Sequence, residues 1–311
     1  MRTAFIQTLL ELAQNDPRIV LIVGDLGFGV VTPFMEKLPQ QFINAGVAEQ
    51  NMTGIAAGMA LSGKIAFTYS IANFPVLRCL EQIRNDVCYH KANVRIVAIG
   101  GGMTYGSLGP SHHATEDIAM MRALPDMLVV CPGDPLEARL ATQALIDYQG
   151  PAFLRIGRAG EPQVHKSMPE FKLGKAITLR PGRDITLIST GGMLANTVAA
   201  AQMLSDAGVE VQVLSMHTVK PLDTAAVLAA ARNTLAIFTV EEHSIIGGLG
   251  GAVAEVIAES GVYPKLFKRI GLDSTFSSIV GDQSYLLQQY GLSPEGIVNT
   301  VEVALEAAKF H

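Results

Sequence analysis

VRIVAIGGGMTYGSLGPSHH, residues 94–113, decides the architecture of this chain. Val94 to Ile99 is, apart from Arg95, an apolar run rich in β-branched residues, Gly100-Gly101-Gly102 ends it, and a turn-rich loop follows. A run like this, without polar alternation, is a strand covered on both faces, as in a parallel sheet. The same unit recurs on either side. Upstream, Arg18 to Val23 closes on the glycine-rich loop Gly24 to Gly29, and Lys64 to Tyr69 leads through Ser70 to Pro75 into a helical stretch, Val76 to His90. Downstream come a helix from Ala114 to Leu124, a strand from Met127 to Cys131, a helix from Asp134 to Tyr148 and a strand from Ala152 to Ile156. Strands alternating with helices at this spacing predict an α/β fold whose ligands sit at the carboxyl ends of the strands.

Gly157 to Gly174 breaks the rhythm with Gly, Pro and charge, which marks a domain boundary. Strands at Asp184–Thr190, Val209–Ser215, Leu235–Val240 and Lys265–Ile270, with helices between them, then rebuild the pattern. The expectation is two α/β domains, each a mostly parallel sheet flanked by helices: residues 1–160, a linker at 161–174, and residues 175–311. Glu241-Glu242-His243 ends a strand of the second. Adjacent acids there point to opposite faces, which favours a structural or interface role over a metal or acid/base site.

Composition narrows the function. The 311 residues are 49% hydrophobic and 16% charged, so much of the chain is buried and its surface suits subunit contact. A net charge of −5 without basic runs argues against nucleic-acid and anionic-membrane partners. Cys79, Cys88 and Cys131 lack disulfide or zinc spacing and read as buried thiols. The start, MRTAFIQTLLELAQND, is amphipathic rather than signal-like, and no stretch is long and apolar enough to span a bilayer. A cytoplasmic location is expected.

Chemistry gathers in three places. In NAGVAEQNMTGIAAGMALSG, residues 44–63, Glu49 is the one carboxylate at the edge of a segment of small residues. Stabilisation by the helix dipole alone explains a first-turn acid, at about 0.3–1 kcal/mol. The Ser70 to Arg78 segment contributes Phe74. Ser111-His112-His113 follows a Gly-Pro turn, and histidine suits proton transfer near neutral pH, although exposure or capping explains such a pair equally well. GxSxG, HExxH, GxGxxG and the Walker loop are absent.

AGVAEQNMTGIAAGMALSG (45–63), CLEQIRNDVCYHKANVRIV (79–97), GPSHHATEDIAMMRALPDMLVVCPGDPLEA (109–138) and GPAFLRIGR (150–158) together resemble the C-terminal half of transketolase. The separate C-terminal subunit of split transketolases is the nearer likeness. DITLISTGG (184–192), VKPLD (219–223) and TLAIFTVEEHSIIGGLGGAVAE (234–255) are similar to the family's last domain. The resemblance implies a thiamine-diphosphate-dependent transferase. It assigns Glu49 to the aminopyrimidine ring nitrogen, Phe74 to stacking on that ring, Arg78 to its neighbourhood and Asp25 to an acid near the subunit interface. Arg2 and Arg158 match arginines that clamp the substrate phosphate, and His112 matches a histidine on a substrate oxygen that also moves protons.

Two positions depart from the family pattern. Gly100 stands for a histidine and Leu108 for an acid, both of which normally touch sugar hydroxyls. Their loss implies altered donor or acceptor specificity, with more room and apolar surface. The family's GDG motif for the diphosphate and its Mg2+ (or Ca2+) is also missing. No metal ligand is expected in this chain; a separately encoded N-terminal subunit would hold the ion, in an α2β2 assembly by analogy. A 2-oxo acid dehydrogenase β subunit, a deoxyxylulose-phosphate synthase-like enzyme and a non-catalytic assembly subunit remain alternatives.

Overall fold

The structure is a computed structural model describing residues 1–308; residues 309–311, the end of the second expected domain, lie outside the described residues. The first sheet contains β1 (Ile19–Val23), β2 (Phe42–Asn44), β3 (Ile65–Ile71), β4 (Val94–Ile99), β5 (Leu128–Val130) and β6 (Ala152–Ile156). The second contains β7 (Ile177–Arg180), β8 (Ile185–Ser189), β9 (Val211–Ser215), β11 (Ala236–Ser244) and β12 (Leu266–Leu272). β10 (Thr218–Lys220) lies between β9 and β11 in the chain but joins the first sheet. The strand orders are β10-β5-β6-β4-β3-β1-β2 and β12-β11-β8-β9-β7, parallel except where β10 meets β5 and β7 meets β9.

The strand sequences explain why both faces are covered. All five residues of β1 are buried. Val20 and Ile22 enter one core cluster while Ile19, Leu21 and Val23 enter the other. A side-chain period of two therefore feeds two cores, and helices must shield each. The second sheet divides likewise, with Leu187 in one cluster and Ile188 in the other.

Three features differ from the sequence expectation. The helical stretch over 76–90 starts earlier and is broken into Phe74–Leu77, Leu80–Gln82 and a π turn at Ile83–Cys88. Pro75 fits the first turn because it has no N–H to leave unpaired. Two further helices, Gln283–Gln289 and Pro294–Ala308, follow the last expected strand and bury Leu286, Ile297 and Val301 in the second domain's core. Finally, β10 crosses the expected division. Thr218 pairs with Val130, the Cys131 amide donates to the His217 carbonyl at 2.7 Å, and Lys220 Nζ donates to the carbonyls of Arg122 and Leu124.

The acid pair of β11 sits at this junction. Glu241 accepts the amides of Leu249 and Gly250 at 2.6 and 2.7 Å, capping the helix Leu249–Ser260. Glu242, on the opposite face, accepts the Met103 amide at 2.7 Å and the Gln283 side chain. Burial pushes both carboxyls up from 4.5 to about 7. Each folded-state pKa lies above its unfolded value, so the stability these groups contribute is complete below about pH 4.5 and is lost as pH rises through about 7. Glu242→Gln is expected to flatten that decline, read as a smaller fall in melting temperature between pH 5 and pH 8; an unchanged slope would rule Glu242 out.

Candidate active site

Asn44, the last residue of β2, organises the entry to the helix Glu49–Leu61. Its Oδ1 accepts the Gly46 amide at 3.0 Å, and its Nδ2 donates to Asp25 Oδ1 at 2.9 Å. Gly46 turns the chain at φ +73°, a backbone region that favours glycine, and the helix begins three residues later. Glu49 opens it without a side-chain cap and is only 1% exposed. Its Oε2 accepts from Arg78 Nη1 at 2.5 Å, while Oε1 has only a long 3.5 Å contact with Ser70 Oγ. One oxygen of a buried carboxylate is thus neutralised by a half-exposed arginine, and the other is left able to take a further donor.

From Glu49 a row of side chains runs along the strand ends. The Arg78 guanidinium lies over the Phe74 ring, 4.6 Å from its centroid. Phe74 meets the His112 ring at 5.1 Å, and His112 meets Tyr105 at 5.9 Å. Arg158 stacks over Tyr105 at 5.3 Å. The charge of Arg2 acts on both Tyr69 and Tyr105; burial nevertheless drives the Tyr69 hydroxyl up to about 12. His112 Nδ1 is 3.0 Å from Ser111 Oγ, whereas its neighbour His113 is buried and braces the loop through the Gly106 carbonyl. The structure therefore brings together Glu49, Phe74, Arg78, His112, Arg158 and Arg2. Asp25 stands apart: it is exposed, has φ +55° and is held by Asn44.

The glycine run after β4 has a steric basis. A Cβ on Gly100 would overlap the Tyr105 ring, one on Gly101 the Arg155 guanidinium, and one on Gly102 the Glu242 carboxyl. Gly100 and Gly102 also have φ of +79° and +68°. The expected extra room at Gly100 is therefore not present: Tyr105 fills it and brings a hydroxyl with it. Leu108 is 53% exposed. Sequence inspection alone missed Tyr105, Tyr69 and Ser70. For Tyr105 the only available signal was the glycine run five residues before it, which shows that something large lies close.

The description "Transketolase, pyrimidine binding domain" matches residues 1–161, and "Transketolase, C-terminal domain" matches residues 174–297. The chain belongs to the transketolase family. One of the subunits of an apulose-4-phosphate transketolase from Phocaeicola vulgatus is 41% identical over 310 residues, 99% of this chain and 97% of that protein. A 6-deoxy-6-sulfo-D-fructose transketolase subunit of a Clostridium species is 38% identical over 311 residues, 100% of this chain and 96% of the relative. A solved split-gene transketolase, described as an inactive β4 tetramer, superposes with a TM-score of 0.88 at 38% identity, covering 98% of this chain and 97% of its own. Membership in the transketolase family implies dependence on thiamine diphosphate. Among the described residues no group of three or more His, Cys, Asp or Glu is arranged to hold a metal ion, and no helix is long and apolar enough to cross a membrane.

Proposed function

We propose that this chain is the pyrimidine-side subunit of a split, thiamine-diphosphate-dependent transketolase. With a separately encoded N-terminal subunit it moves a two-carbon ketol unit from a ketose-like donor to an aldehyde acceptor. Residues 1–160 form the pyrimidine-binding unit, 161–174 the linker and 175–311 the C-terminal unit. The observation that carries this is the buried Glu49 carboxylate with one oxygen uncommitted, beside an aromatic ring and in line with a histidine and two arginines.

These residues fit the aminopyrimidine end of the cofactor, because a buried carboxylate needs a donor and Phe74 supplies an aromatic surface beside it. Glu49 holds a proton at the ring nitrogen, and Arg78 holds the other carboxylate oxygen in place through its hydrogen bond. Phe74 stacks on the ring, and Asp25 lies toward the subunit interface. When bound, thiamine diphosphate supplies the carbon nucleophile needed for carbon–carbon cleavage. Arg2 and Arg158 bind the substrate phosphate as fixed forks of donors, and His112 donates to a substrate oxygen and moves protons there. Mg2+ or Ca2+ sits with the diphosphate on the partner subunit, the assembly is α2β2, and the enzyme works in the cytoplasm.

The relatives named for apulose 4-phosphate and a sulfonated fructose support an altered donor or acceptor. A kinetic scan in which xylulose 5-phosphate with ribose 5-phosphate outperforms every other pair would defeat that part. For the cofactor assignment, calorimetry with thiamine diphosphate and Mg2+ on the chain alone and on the co-expressed pair is decisive. Binding is expected only from the pair; a pair that binds nothing would leave an assembly subunit as the better description.

A further inference from the structure

Tyr105 joins His112 to Arg158 within the row. His112 lies 5.9 Å from its ring, and Arg158 stacks over the ring at 5.3 Å. Its position is set by Gly100, where any side chain would displace the ring, and by the turn Gly106–Leu108 that follows it. Burial raises its pKa, with the charges of Arg158 and Arg2 opposing; no hydrogen bond to a described residue acts on the hydroxyl. A partly buried phenol beside His112 and Arg158, its hydroxyl not among the buried polar atoms left without a partner, is free to hydrogen-bond a molecule bound next to them.

We propose that Tyr105 is a specificity-determining residue, its phenol hydrogen-bonding a hydroxyl of the sugar chain between the oxygen at His112 and the phosphate at Arg2 and Arg158. This rests on the transketolase function proposed above. The hydroxyl comes from a residue that also occupies the volume over Gly100, so polarity and shape of the site are set by one side chain. A substrate lacking a hydroxyl at that point leaves the phenol unpaired and binds less well.

The test uses the assembled enzyme with thiamine diphosphate, Mg2+ and β-hydroxypyruvate as donor. KM and kcat are measured for D-ribose 5-phosphate, which has internal hydroxyls, and for glycolaldehyde phosphate, which has none. Tyr105→Phe keeps the ring on Gly100 and removes only the hydroxyl. It is expected to raise KM for D-ribose 5-phosphate about tenfold relative to glycolaldehyde phosphate, the size of one neutral hydrogen bond, with cofactor affinity by calorimetry unchanged. Tyr105→Leu, which also empties the space over Gly100, should lower kcat for both acceptors. Equal KM increases for the two phosphates would put the hydroxyl on the phosphate and overturn the assignment. A wild-type-like Tyr105→Phe beside a defective Tyr105→Leu would reduce the ring to a filler and overturn it too. An assembly that binds no thiamine diphosphate overturns the function proposed above and this assignment with it, whereas one that binds it with selectivity unmoved by Tyr105→Phe overturns this assignment alone.

Discussion

In the assembled enzyme, Glu49→Gln is expected to lower kcat by about 10²–10⁴-fold, the usual worth of a positioned proton-transfer group. Glutamine preserves the shape of the side chain, and its carbonyl can still accept from Arg78, so the helix entry and the ion-pair geometry change little. What disappears is a carboxylate able to hold a proton against a ring nitrogen. The 44% exposure of Arg78 leaves its charge solvated when its partner becomes neutral, which protects the variant against unfolding. Size-exclusion of the pair and calorimetric cofactor affinity separate loss of chemistry from loss of assembly. A kcat within twofold of wild type in an intact pair would remove Glu49 from the mechanism.

Arg155→Met is expected to destabilise the folded chain by about 3–5 kcal/mol, the cost of stranding a buried charge. Arg155 Nε donates to Asp117 Oδ2 at 2.7 Å, and Nη2 donates to the carbonyls of Ala114 and Glu242 at 3.0 and 2.9 Å. The pair is almost wholly buried, at 5% and 2% side-chain exposure. Methionine fills much of the volume but leaves Asp117 without its partner. Asp117→Asn in the same chain should restore part of the loss, since the unpaired charge is the expensive element. Denaturant unfolding of both variants measures this; a single variant within about 0.5 kcal/mol of wild type, the size of an ordinary surface substitution, would refute it.

Arg155 also shows where the sequence was hard to read. In AFLRIGR, Arg158 falls after the strand, where the family resemblance alone proposes it as a substrate contact, whereas Arg155 lies within the apolar run of β6 and reads as an exception to it. Its partners come from residues 114, 117 and 242, so no local pattern announces them. Tyr105 is hidden for the same reason: the turn and the glycine that position it matter more than its immediate neighbours. By contrast, β1, β3, β4 and β6 were plain because burial on both faces leaves no room for polar alternation. β2 and β10, at three residues each, give periodicity little to register, whereas the equally short β5 is marked by its apolar flanks Met127 and Cys131. The last helix carries a conventional start signal, Ser293, Pro294 and Glu295, which the sequence reading did not use because it lies past the expected strands.

The excursion of β10 has a practical meaning for anyone building chimeras. A crossover placed in residues 157–174 would exchange Thr218–Lys220 along with the second unit, so the first sheet would receive its edge strand from the donor sequence. The Lys220 ammonium that holds the carbonyls of Arg122 and Leu124 would be replaced as well, and an ill-matched graft would leave β5 as an open edge able to recruit strands from other molecules. Interchangeable halves of this enzyme are therefore defined by ownership of strands rather than by position along the chain, and a graft that respects the fold keeps residues 218–220 native.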